Sequence, residues 1–166
     1  MEWILFGLLV WFFYRRSQKK KGKKAFDAAK KKYAKQQQAY EDFMNSLPYL
    51  KGDESFSQQV RGEQAYQETI NMYGQFLEDH HPGKDEILVM VELEPSNPFD
   101  KNAVRVDAGQ ATIGYIPREE AEEFGNELRA LGGRASCSAR LYWSPNDERS
   151  SITLDVLRPL QIGKKD

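Results

Sequence analysis

Residues 94–106 read Glu94-Pro95-Ser96-Asn97-Pro98-Phe99-Asp100-Lys101-Asn102-Ala103-Val104-Arg105-Val106, and after a short gap residues 113–119 read Ile113-Gly114-Tyr115-Ile116-Pro117-Arg118-Glu119. Pro95 and Pro98 bracket a rigid, extended loop that cannot join a central strand, because proline has no amide to give to a ladder. Asn97, Asp100 and Asn102 carry short polar side chains that bond nearby backbone, so they are expected to hold the loop's shape. Such a loop joins two strands. Ile87–Leu93 before it is strongly β-prone, and Asn102–Val106 after it is a second β-prone run. Ala111–Ile116 makes a third, where Gly114 permits a bend or a close backbone approach.

Working outward, Phe56–Val60 reads as a first strand, and Gly62-Glu63-Gln64-Ala65-Tyr66-Gln67 leads into a helix with Tyr66, Ile70, Tyr73 and Leu77 on one face. His80-His81-Pro82-Gly83 stops it. Asp107–Gln110 is the expected turn between the second pair of strands. Pro117 opens a helix running to Leu131, with Gly132-Gly133 as its stop. Arg134–Trp143 and Ile152–Leu157 supply two more strands, joined by the turn-rich Ser144–Ser150. Six strands, with helices after the first and fourth, predict an α+β domain over residues 59–160, followed by a tail at 161–166.

Three markers in order, Gly62-Glu63 with Tyr66-Gln67, the block from Glu94 to Val104, and Ile113 to Glu119, resemble the HIRAN domain. That family is a small β-rich module, found alone in bacteria and phages and at the front of some eukaryotic DNA-remodelling helicases. The resemblance runs from about Val60 to Leu157. It implies a small, highly curved, six-stranded β-barrel of OB- or SH3-like architecture with two inserted helices. It also implies a pocket for the 3′ end of single-stranded DNA. By that likeness Phe99 stacks the terminal base, Asp100 meets the 3′-hydroxyl, Asn97 supports the loop or touches the sugar, Arg118 reaches a phosphate, and Tyr115 takes a neighbouring position. Stacking on an aromatic face contributes about 1–3 kcal/mol per base whatever the sequence. A carboxylate accepts a hydrogen bond from a free hydroxyl and repels the phosphate that follows an internal nucleotide. Gln64-Ala65 stands where the DNA-binding member has Arg-Tyr, losing a phosphate contact and a stacking surface. Gln64 remains a candidate contact, whereas Tyr66 falls in the helical stripe and is expected in the core.

The amino-terminal part differs in character. Trp3 to Tyr14 is an unbroken apolar run of twelve residues closed by Arg15 and Arg16. Its rise as a helix is about 18 Å, against a hydrocarbon core of about 30 Å. Trp3, Trp11 and Tyr14 suit the interface, the arginines can snorkel, and a bilayer can thin around a short helix. Residues 1–16 are therefore expected to be an uncleaved anchor; a helix lying in the interface and a buried or self-associating helix are the other readings. Glu2 before the run and Arg15 after it argue against a cleaved signal. Lys19, Lys20, Lys21, Lys23 and Lys24 follow directly, and with Arg15 and Arg16 they suit anionic headgroups. The positive-inside rule then gives a single-pass membrane protein with its carboxyl-terminal domain in the cytoplasm.

Residues 17–47 are rich in Lys, Ala and Gln, the composition of a long exposed helix. Phe26, Tyr33, Tyr40 and Leu47 recur at sevens, with Ala29 and Phe43 between them, so one face offers a partner surface for another protein, for self-association as a coiled coil, or for the domain itself. Pro48 and Gly52 end it, leaving 48–58 as a linker. Residues 15–35 hold eleven Lys or Arg against one acid, Asp27, while residues 36–166 carry thirteen basic and twenty-three acidic side chains, a net of −10. An acidic domain predicts weak, salt-sensitive binding to nucleic acid.

Catalytic signals are lacking. His80-His81 point to different faces, Glu92 and Glu94 share a strand face where they could meet a cation but more simply meet water, and Cys137 alone forms neither a disulfide nor a zinc site. With no phosphate-cradling glycine loop and no nucleophile elbow, the expectation is a non-enzyme without cofactor or metal. The function expected is a membrane-tethered module recognising single-stranded DNA or RNA ends. The alternative is a membrane-anchored interaction or scaffold protein that keeps the barrel without nucleic-acid binding.

Overall fold

The computed structural model of the chain describes residues 27–32, 34–143 and 150–165. It falls into two units divided between Asn45 and Ser46. Helix α1, at residues 27–32 and 34–46, supplies the described part of the first and ends at the first residue of the second. Its composition favours helix, the Gln38 amide donates to Asp42 one turn on at 3.0 Å, and the chain leaves the helix just before Pro48. Of the heptad stripe, Ala29 is exposed and Tyr40 and Phe43 are half-buried. Phe26, Tyr33, the apolar run 3–14 and the cations Arg15 to Lys24 lie outside the described residues. Among the described residues no helix is long and apolar enough to cross a membrane.

The second unit is α+β. Its elements are β1 (Gln58–Gln59), a 3-10 turn (Glu63–Tyr66), α2 (Gln67–His80), β2 (Glu86–Leu93), β3 (Val104–Ala108), β4 (Ala111–Tyr115), α3 (Arg118–Ala130), β5 (Arg134–Tyr142) and β6 (Ser151–Asp155). The six strands form one antiparallel sheet in the order β1-β6-β5-β2-β3-β4. Period-two alternation turns Val89, Val91, Val104, Val106, Ala135, Cys137 and Ala139 inward, where all are buried. Ala121, Phe124, Gly125 and Leu128 recur at three and four residues along α3 and bury that helix's apolar face. Removing Phe124, which is fully buried, is worth about 3–5 kcal/mol by analogy with other core aromatics. Burial pushes the Cys137 thiol well above its usual range, and nearby Asp155 adds to this, so it is a packed thiol rather than a reactive one.

The sheet curls until its edges touch. Just past β1, the Arg61 amide donates to the Tyr115 carbonyl at 2.7 Å and the Tyr115 amide donates back at 2.8 Å, a single antiparallel pair across the seam. Gly114 makes this contact possible, since a Cβ there would collide with Val60 Cγ1 and stand 2.7 Å from the Arg61 carbonyl oxygen.

Residues 48–52, assigned above to a linker, are paired on both sides. The Ser136 amide donates to the Pro48 carbonyl and the Leu50 amide to the Ser136 carbonyl, both at 2.8 Å, while Lys51 donates to Gln161 and Gly163 to Tyr49, also at 2.8 Å. Leu50 is fully buried beneath them. This pairing is long-range, which local composition does not reveal. The strand expected at Asn102–Val106 is displaced to Val104–Ala108, because the Asn102 amide donates to the Asp100 carboxylate at 2.9 Å and the Ala103 amide to the Asp100 carbonyl at 3.1 Å. The loop keeps those amides, and the turn shrinks to Gly109-Gln110, with Gly109 at φ 59°.

Candidate nucleic-acid interface

Asn97 organises the β2–β3 loop. Its amide donates to the Glu94 carbonyl at 2.9 Å and its Nδ2 to Glu94 Oε2 at 2.7 Å. Its Oδ1 accepts from the amides of Phe99 at 2.9 Å and Asp100 at 3.2 Å. Both ends of the side chain are occupied, so of its two expected roles the structure gives it loop support. The consequence appears at the next aromatic: Phe99 is 86% exposed on a backbone held from both sides. An apolar ring so presented is ready to stack on a flat partner.

Asp100 is bound through one oxygen and open through the other. Oδ1 accepts from Asn102, while Oδ2 faces Arg118 Nε at 3.8 Å, a loose contact at the start of α3. Arg118 itself is 81% exposed. Thus the loop offers a ring and a carboxylate oxygen, with the exposed Arg118 of α3 beside them.

Beneath the loop, Arg105 gathers three carboxylates. Its guanidinium reaches Glu92 and Glu94 at 3.0 Å each and Asp107 at 2.9 Å. Glu92 also takes Arg134 at 2.7 Å. The carboxylates that could have met a cation are therefore committed to arginine, and among the described residues no cluster of His, Cys, Asp or Glu could hold a metal ion. Partial burial pushes the Glu94 carboxyl up, but hydrogen bonds from Asn97, Tyr115 and Arg105 and the Arg105 charge outweigh it, leaving Glu94 below its ordinary 4.5. Burial, then the Tyr66 hydroxyl and the Glu94 carboxylate, push the Tyr115 phenol far above its ordinary range. Tyr115 stays a neutral donor.

The remaining candidates surround this group. Tyr66 ends the 3-10 turn half-buried; it packs against the core as expected, and its ring also lies 6.4 Å from that of Tyr115. Gln64 is exposed on the same turn. His80 lies elsewhere, stacked on Phe76 at 4.5 Å. Sequence reasoning passed over Arg105 and Arg61. Alternation in β3, which sets Arg105 outward between buried Val104 and Val106, was the signal available for the first.

A family profile for the HIRAN domain matches residues 75–160. The chain belongs to the HIRAN family. In this HIRAN chain the matched stretch begins within α2, ends beyond β6, and contains Asn97, Phe99, Asp100, Tyr115 and Arg118. Gln64, Tyr66 and Arg61 precede it. No curated protein and no solved structure matches this HIRAN chain.

Proposed function

We propose that this protein is a non-catalytic module that recognises the 3′ end of a single strand of DNA, with RNA ends as a related ligand, held at the cytoplasmic face of a membrane by residues 1–16. HIRAN domains are generally associated with binding DNA ends. The observation that carries the reading is Phe99, 86% exposed on a loop fixed by Asn97, beside an Asp100 oxygen that no close donor among the described residues occupies. Phe99 stacks the terminal base, Asp100 Oδ2 accepts from the 3′-hydroxyl, and Arg118 swings from Asp100 to a phosphate. The curled sheet suits the OB- or SH3-like barrel that the family likeness implies. Tethering rests on the apolar run 3–14 and the following cations.

A second reading, a membrane-anchored scaffold without nucleic-acid binding, is favoured by Gln64-Ala65 and by the net charge of −10 over residues 36–166, from thirteen basic and twenty-three acidic side chains. Fluorescence anisotropy of the full chain with short strands ending in a 3′-hydroxyl or a 3′-phosphate separates the two. Preference for the hydroxyl, reduced in Asp100→Asn, supports end recognition, because asparagine keeps the Oδ1 acceptor for Asn102 and removes the charge that repels phosphate. Absence of binding at low salt by a folded chain favours the scaffold.

A further inference from the structure

Five side chains stand in register across the outward face of the sheet. Arg134 of β5 opposes Glu92 of β2, Glu92 opposes Arg105 of β3, Arg105 opposes Tyr115 of β4, and Tyr115 opposes Arg61 across the seam. Contacts confirm the row: Arg134 to Glu92 at 2.7 Å, Glu92 to Arg105 at 3.0 Å, and Arg105 and Tyr115 both onto Glu94, at 3.0 and 3.1 Å. Directly opposed antiparallel residues share a face, with Cα atoms about 5.5 Å apart when they exchange both hydrogen bonds. Arg61 and Tyr115 do exchange both. Val60 before Arg61 is buried, and Arg61 is exposed.

The cations of this row differ in availability. Arg105 is saturated by three carboxylates and Arg134 is held by Glu92. Arg61 has no ion-pair partner among the described residues. It lies next to Tyr115, which is tied through Glu94 and Asn97 to the loop that carries Phe99. Arg118, at the start of the helix that follows Tyr115, stands against Asp100. A strand whose last nucleotide sits on Phe99 and Asp100, with Arg118 at its nearest phosphate, has a free guanidinium waiting where it crosses the seam. A guanidinium matches phosphate oxygens in a two-pronged geometry that water-exposed carboxylates of this acidic domain cannot supply.

We propose that Arg61 binds an internal phosphodiester of the strand, 5′ to the one beside Arg118, so that the ligand is an oligonucleotide end and not a terminal nucleoside alone. The inference rests on the end-binding reading above. Because the seam is closed by the Arg61 backbone and not its side chain, Arg61→Ala preserves both seam hydrogen bonds.

The test is a scan of a neutral methylphosphonate through the first four linkages from the 3′ end, measured by anisotropy with the full chain, its Arg61→Ala and Arg61→Lys variants, and Phe99→Ala. Melting temperatures of all four proteins are recorded. The expected result is one linkage, not the terminal one, whose neutralisation weakens the unsubstituted chain and leaves Arg61→Ala no weaker. Arg61→Ala also lowers the slope of log affinity against log salt by about 0.7, one phosphate on a single strand, and Arg61→Lys restores it. If Phe99→Ala weakens binding while Arg61→Ala leaves the slope unchanged and its losses multiply with every methylphosphonate, the Arg61 assignment is overturned and end binding stands. If the unsubstituted chain binds no strand, both are overturned.

Discussion

The Tyr115 hydroxyl donates to Glu94 Oε2 across 3.1 Å and joins two sequence motifs that lie twenty-one residues apart. The same carboxylate oxygen accepts from Asn97, and the other from Arg105. One glutamate thereby ties the loop, the keystone arginine and the seam strand into a single unit, and the chemistry of that unit sets the following expectations.

Phe99→Ala should leave stability within about 0.5 kcal/mol, as for most exposed positions. End affinity should fall roughly 5- to 150-fold, the equivalent of about 1–3 kcal/mol of stacking. Denaturant unfolding beside anisotropy checks both. A large loss of stability would mean that the ring, 86% exposed here, is packed in solution.

Asn97→Ala should do the reverse in part. Three side-chain hydrogen bonds disappear, two of them to loop amides, and the expected cost is about 1–3 kcal/mol. Binding should fall too, although Phe99 is untouched, because the ring loses its fixed support. Hydrogen exchange at the Phe99 and Asp100 amides should rise in the variant; unchanged protection there would contradict the organising role.

Arg105→Ala leaves Glu92, Glu94 and Asp107 facing one another. Removing one partner of a buried ion pair costs about 3–5 kcal/mol, and the 29% exposure of Arg105 reduces that to roughly 1–3 kcal/mol. Arg105→Lys should recover little, since one ammonium cannot span three carboxylates. Calorimetric melting of the two variants gives the comparison, and a lysine variant as stable as the parent would show that charge alone suffices.

Gly114→Ala should destabilise by about 1–3 kcal/mol through forced overpacking at the seam. The methyl group meets Val60 Cγ1 and the Arg61 carbonyl, and that carbonyl is held in place by the Tyr115 amide across the seam. Retained Tm with intact exchange protection at Arg61 and Tyr115 would show that the edges have room to spare.

Acid should weaken the domain. Glu94 and Glu127 both titrate below their ordinary 4.5, Glu127 because Arg158 and the Leu160 amide outweigh its burial. A carboxylate with a depressed folded pKa contributes stability above the unfolded value and loses it as pH falls through the folded one. Stability should therefore be level above about pH 4.5 and decline below it, less steeply in Glu94→Gln. Urea midpoints from pH 7 to 3 give the profile.

Much of this fold was legible because its signals are local. Pro95, Pro98, Asn97 and Asp100 act within a few residues of themselves, and Ile70, Leu77, Phe124 and Leu128 repeat with the helical period. Gly114 could be flagged as a point of close approach from its place in a β-run, though not its partner, Val60-Arg61. What escaped depends on register. Arg105 becomes a keystone only when β2 and β3 align it with Glu92, and Arg61 joins the site only because the sheet curls its two edges together. The strap at 48–52 escaped for the same reason, its partner Ser136 lying 88 residues from Pro48.

That strap carries a consequence for how the protein is made. The Leu50 amide needs the Ser136 carbonyl, and the Tyr49 carbonyl accepts from the Gly163 amide. At roughly 5–20 residues per second of synthesis, Leu50 waits on the order of 4–20 s for Ser136 to be added. Until residue 163 has left the ribosome the strap has only one of its two edges, so the earliest part of the domain to be synthesised is among the last to be locked in place.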